Sequence, residues 1–244
     1  MEGKERTTLW VLALAIDYLG VLVGRGQGWR LSPGHFAERH GLVVIIAIGE
    51  SIVALGVSAS GTPLTAGVIT TALVGMTIAT ALWWAYFDWV AILLEHRLRE
   101  ATGTAQTTLA RDAYSYLHFV MVAGIVLFAM SLKKALGNYD AHLAAVPATA
   151  LCAGLGAYLL AHVLLRYRIS GTIGRGRPLA LVALIVFWPF ADEVPALAAL
   201  SVTAAVFVVL IAYEAIRYRE SRSSIRHGAV PTAEVMTGRR VPET

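Results

Sequence analysis

Seven stretches of this chain are nearly free of charge and long enough, or almost long enough, to cross a bilayer. They are Leu9–Val23, Gly41–Ser60, Thr65–Leu94, Tyr114–Leu132, Ala141–Leu165, Pro178–Phe190 and Pro195–Tyr213. A helical span takes about 20 mainly apolar residues. In hydrocarbon each backbone N–H and C=O must be satisfied by the protein itself, and an unbroken apolar run of this length does so as a helix. The expected fold class is all-α: a polytopic membrane helix bundle with about seven transmembrane helices over residues 1–218. A flexible basic tail is expected over 219–244, where large apolar residues are scarce. Composition agrees: charged residues make up 15% of the chain, against about 25% in soluble domains. That excludes a domain with a water-exposed shell, and it excludes disorder for the bulk of the chain.

The first and sixth stretches are short, and the third is long enough to tilt or to project into water. Between the stretches lie breaking sequences: Gly24–Gly28, Gly61-Thr62-Pro63, Gly137-Asn138 and the Gly-, Arg- and Pro-rich Gly171–Pro178. Leu9–Val23 has the flank of a signal peptide. Asp17 interrupts its apolar core, however, and no small-x-small cleavage site follows, so a retained helix is expected. With seven spans, sixteen of the twenty Lys and Arg residues fall on the side of the first, third and fifth loops and the tail. Only Lys4, Arg6, Lys133 and Lys134 fall on the other. Cytoplasmic loops are enriched in these residues, so the N-terminus is expected outside and the C-terminus in the cytosol. The same topology accounts for the basic balance without nucleic acid as a partner. The lone Cys152 excludes an internal disulfide and reads as a buried thiol. No phosphate loop, dinucleotide fingerprint or catalytic triad is present, and no cofactor is inferred.

Ionisable groups inside the apolar runs are the functional candidates, because each costs about 2.5–3.5 kcal/mol to insert. They are Asp17, Glu50, Asp88, His118 and His162. At 1.5 Å per residue, Asp17 and Asp88 lie about 9 Å from the cytosolic ends of their stretches, His118 about 6 Å and Glu50 about 13 Å. His162 lies at the cytosolic edge. All sit in the inner half or at the middle, which suggests a polar cavity open to the cytosol with Glu50 near its floor. Ala47, Ser51, Ala54 and Ser58 form a small-residue stripe at helical spacing. Glu50 flanks that stripe and is expected to point toward protein. Thr77, Ala81, Trp84 and Asp88 share one face, and Arg111, Tyr114, Ser115 and His118 another, so Asp88 and His118 are expected to pair. The competing reading is that these groups only bond a neighbouring helix and set the bundle geometry. The aromatic run Trp83–Trp89 is read as an interfacial belt rather than a ligand site. His35 and Glu38 share a helical face, but their spacing fits no zinc motif, and no metal site is inferred.

The run His35-Phe36-Ala37-Glu38-Arg39-His40-Gly41-Leu42-Val43-Val44-Ile45-Ile46-Ala47-Ile48-Gly49-Glu50-Ser51-Ile52 resembles a signature of the bacterial low temperature requirement protein A (LtrA) family, roughly HxxERxGLxxIIxLGES. Trp84-Ala85-Tyr86-Phe87-Asp88 resembles the family's next motif, and His118 with Gly124-Ile125 a third. The resemblance spans residues 9 to 215. It implies a multi-pass membrane protein named for a cold-growth phenotype rather than for a reaction. Family members carry more membrane segments before this motif, so the chain is expected to correspond to the C-terminal part of the architecture, as a short member. The residues carried over are His35, Glu38, Arg39, Gly41, Gly49, Glu50, Ser51, Asp88 and His118.

The leading expectation is a plasma-membrane transporter or channel for a proton, ion or small solute, with Glu50, Asp88 and His118 as binding groups and Gly49 admitting a neighbouring backbone. The alternative is a structural or stress-response component without substrate, active in cold adaptation. A membrane-embedded hydrolase is disfavoured, because no HxxxH pair exists and the last stretch lacks His. A retinal receptor is disfavoured because Lys4, Lys133 and Lys134 all lie at helix ends or in loops. Beyond the bilayer, a homo-oligomer or a second chain is the partner left open.

Overall fold

A computed structural model describes residues 3–23, 31–60 and 63–218. The glycine-rich break at 24–28, the Gly61-Thr62 turn and the tail 219–244 lie outside these residues. Nine α-helices appear among the described residues: α1 Gly3–Val23, α2 Pro33–Ser60, α3 Ala66–Phe87, α4 Val90–Glu100, α5 Gly103–Leu109, α6 His118–Gly137, α7 Ala145–Ser170, α8 Gly176–Phe187 and α9 Ala196–Arg217. A π-helical stretch, Ala110–Leu117, joins α5 to α6, and a 3-10 turn, Trp188–Phe190, follows α8.

Among the described residues five helical stretches are long and apolar enough to cross a membrane: Pro33–Ser60, Ala66–Glu100, Gly103–Gly137, Ala145–Ser170 and Ala196–Arg217. The shorter Gly176–Phe190 is apolar too. The five long stretches correspond to five of the seven expected; α1 and α8 are not among them. Outward faces carry large apolar side chains such as Ile46, Val57, Leu73, Val186 and Val209. An exterior of that kind suits hydrocarbon rather than water, as in an integral membrane protein.

Local chemistry sets the helix limits. Pro33 occupies the first turn of α2, where a missing N–H costs nothing. Thr65 caps α3 by accepting the Val68 N–H at 3.3 Å. The third stretch is not one straight helix. Trp89 departs from helical geometry (φ −151°, ψ −24°), ending α3 and starting α4. α7 runs on past Leu165 to Ser170, where Gly171 closes it in the left-handed conformation (φ +68°).

α7 is the central element, with 72% of its apolar window buried. It crosses α6 where two glycines meet: a Cβ on Gly154 would stand 2.8 Å from the Gly124 carbonyl oxygen. Removing both side chains there lets the backbones touch. Ser131 on α6 donates to the Pro147 carbonyl at 2.9 Å. α2 packs its small stripe inward, with Ala47 and Ser51 buried and Ala54 and Ser58 half-buried. By contrast α1 is peripheral. Tyr18 alone among its described side chains is even half-buried, seated on Tyr116 and Phe119.

The bundle has two chemically distinct ends. Arg168 reaches Asp112, Arg177 reaches Glu214 and Arg166 reaches Tyr218 at one end. At the other, Ala196 and Leu197 N–H groups donate to the Ala141 and Tyr139 carbonyls, both at 2.9 Å.

Candidate functional site

The three residues expected to form one wet site do not assemble. Glu50 is exposed on the outward face of α2, with Leu42, Ile46 and Val53 around it. It flanks the small stripe as expected but lies on the wrong side of it. A Cβ on Gly49 would meet nothing within 4 Å, so no backbone among the described residues approaches there. Asp88 is half-buried at the C-cap of α3. His118 is buried, at 3% exposure. Both of its ring nitrogens have partners other than Asp88, so the expected Asp88–His118 pair is replaced.

The π-helical stretch explains His118. Wider turns reposition backbone carbonyls, and His118 Nδ1 lies 2.8 Å from the Ala113 oxygen. A carbonyl can only accept, so Nδ1 carries the hydrogen and Nε2 presents a lone pair. Nε2 lies 2.7 Å from the Tyr86 hydroxyl, which donates to it. His40 and His162 are held in the same way. Their Nδ1 atoms reach the Phe36 and Tyr158 carbonyls one turn back, at 2.8 and 3.0 Å. All three imidazoles thus share one tautomer and direct Nε2 away from their own backbone.

These rings adjoin one another across four helices. His40 of α2 lies 5.5 Å from His118 of α6, centroid to centroid, and Tyr114 stacks on His118 at 5.0 Å. Tyr86 of α3 meets His118 at 5.4 Å and His162 of α7 at 6.3 Å. His162 is not at an edge, as the sequence suggested. Because α7 ends at Ser170, it lies eight residues in and is 1% exposed. Its Nε2 is buried without a hydrogen-bond partner among the described residues. A small cavity of about 10 Å³, bounded in part by Trp89, Leu93, His162 and Arg177, adjoins it, enough for about one water.

A buried ion pair closes this region. Arg177, read from sequence as a loop cation, is 5% exposed inside the first turn of α8. Its Nε and Nη2 donate to Glu214 at 2.8 and 3.1 Å. Nη2 also donates to the Ala85 carbonyl at 3.0 Å, an acceptor left over by the break at Trp89. The guanidinium faces the Trp89 ring at 5.3 Å. Tyr158 adds a 2.6 Å bond to the Leu82 carbonyl. Tyr86, Tyr158, Arg177 and Glu214 were absent from the sequence candidates. The spacing of Tyr158 and His162, four apart on one helix face, was the available hint.

The remaining motif residues divide. His35, Glu38 and Arg39 are exposed, and His35 lies 3.7 Å from Glu38 as their spacing predicts. Gly41 is buried under Phe87, where a Cβ would make ordinary contact at 3.6 Å. Ser51 is buried and turns its hydroxyl to the Ala47 carbonyl. Among the described residues no group of three or more His, Cys, Asp or Glu could hold a metal. Cys152 is free and buried, as expected.

No solved structure matches the chain. An uncharacterized protein, RA0937, of Rhizobium meliloti (strain 1021) is 29% identical over 59% of this chain. The match spans 38% of that relative's length. The family model for bacterial low temperature requirement A protein (LtrA) matches residues 1–212. The chain therefore belongs to the LtrA family.

Proposed function

We propose that the chain is a plasma-membrane transport protein that carries a proton, alone or coupled to an ion or small solute, along the line His40–His118–Tyr86–His162. It acts without enzymatic turnover, in a seven-span topology with the N-terminus outside and the C-terminus in the cytosol. The observation that supports this is the shared tautomer. Each Nε2 presents a lone pair; that of His118 accepts from Tyr86, and that of His162 has no hydrogen-bond partner among the described residues. Imidazole is the side chain best suited to gain and lose a proton near neutrality. Asp88, at the end of α3, would serve as the carboxylate at the mouth of the line. Glu50, facing outward, is no part of it.

The second reading is a membrane component without substrate. It is favoured by His118 being buried with both nitrogens engaged. Proteoliposomes loaded with a pH-sensitive dye and driven by a potassium diffusion potential separate the two. Transport predicts proton uptake above protein-free vesicles, abolished by His118→Gln and by Tyr86→Phe. Uptake equal to that of empty vesicles, or unchanged in both variants, would overturn the relay and leave the substrate-free reading.

A further inference from the structure

The arginine-rich end of the bundle carries a groove of about 270 Å³ lined by Arg97, Glu100, Ala101, Leu109, Arg168 and Ile169. It lies where the turn between α4 and α5 passes the last turn of α7. We infer that this groove binds the phosphate headgroup of an anionic phospholipid, whose acyl chains run down the outer face of α7.

Charge around the groove is unbalanced. Asp112 serves two guanidiniums: its Oδ1 accepts from Arg111 at 2.9 and 2.7 Å, and its Oδ2 accepts from Arg168 at 3.1 Å. Glu100 pairs with Arg97 at 3.3 Å and also lies 3.2 Å from His96. The groove itself is lined by two guanidiniums, Arg97 and Arg168, and one carboxylate, Glu100. Arg168 and Glu100 are more than 40% exposed, and exposed pairs of this kind are weak and exchange readily. A phosphate offers an arginine fork the same bidentate geometry as a carboxylate.

The apolar setting selects a lipid over a free anion. Toward its C-terminal end the outward residues of α7 are Leu160, Leu164, Tyr167 and Arg168. At spacings of four, three and one they form a single stripe. Two aliphatic side chains lead up to an aromatic ring and a guanidinium, the order of polarity a phospholipid presents. Leu109 and Ile169 continue this apolar surface into the groove. Basic pockets between helix ends are where headgroups bind. The opposite end supplies a contrast. Its groove, of about 220 Å³, is lined by Ala145, Ala148, Thr149, Trp188, Pro189 and Asp192, with an acid and no cation.

The test is saturation binding to the delipidated full-length chain in neutral detergent. The probes are short-chain phosphatidylglycerol, short-chain phosphatidylcholine and inorganic phosphate. Saturable binding of phosphatidylglycerol is expected, weakened about tenfold or more in R97Q/R168Q, as for the loss of charge-assisted bonds. Arg168→Lys, which keeps the charge but not the fork, falls between. Leu164→Gln weakens phosphatidylglycerol binding as well. Helix content by circular dichroism confirms that each variant is folded. Equal affinity for the two lipids, or full affinity in folded R97Q/R168Q, would overturn the proposal. Inorganic phosphate binding as tightly as the lipid would overturn it too, leaving a plain anion site. None of these outcomes bears on the proton relay.

Discussion

Removal of the Glu214 carboxylate strands a guanidinium in the interior. Arg177 and Glu214 are each about 5% exposed, so water cannot replace the lost partner. Breaking one side of a buried pair costs about 3–5 kcal/mol. Arg177 would keep its bond to the Ala85 carbonyl and its place over Trp89, which puts Glu214→Ala in the lower half of that range. For a chain of this size each kcal/mol corresponds to roughly 2–4 °C of midpoint, so a fall of about 6–16 °C is expected. Replacing both residues with apolar ones, R177M/E214L, removes the stranded charge and is expected to recover most of the loss. Unfolding by SDS titration in mixed micelles, followed by tryptophan fluorescence, reads both variants on one scale. A Glu214→Ala chain within about 1 kcal/mol of wild type would show that the guanidinium finds water. A double variant no better than the single would show that the pair is not the source of the effect.

Three further outcomes follow from the same contacts. Tyr86→Phe removes the donor to His118 Nε2 and leaves a buried acceptor unsatisfied. A loss of about 1–3 kcal/mol is expected in the same titration, and a neutral result would place a water there. Gly154→Leu drives a side chain into the Gly124 backbone, so a destabilisation of about 1–3 kcal/mol or more is expected. A fully stable variant would contradict the close crossing of α6 and α7. Glu50→Leu swaps an outward-facing carboxyl for an apolar side chain, and unchanged or improved stability is expected. A loss above about 1 kcal/mol would mean that another surface covers Glu50 and bonds to it.

The sequence made the helices legible for a simple reason. An uncharged run of some twenty residues has one way to satisfy its backbone in hydrocarbon, and α2, α7 and α9 follow from that alone. The inward turn of Ala47 and Ser51 was legible too, because four-residue spacing of small side chains marks where a neighbour can approach. Helix ends were less so. The break at Trp89 depends on Arg177, 92 residues away from Ala85, taking up a carbonyl that the kink releases. The true depth of His162 depends on Gly171, not on the last leucine, ending α7.

By itself, then, the chain determined which segments are helical and which side chains are too polar for the interior of a bilayer. It could not determine which polar groups meet. Glu50 and Glu214 look alike in sequence, each a carboxyl beside apolar residues on a long helix. Only packing separates them. One faces outward from α2 and makes no ion pair among the described residues. The other meets a guanidinium delivered by α8, 37 residues away along the chain. Helical spacing fixes a residue's neighbours on its own helix, whereas the partner across the interface is set by how helices cross, which no local pattern encodes.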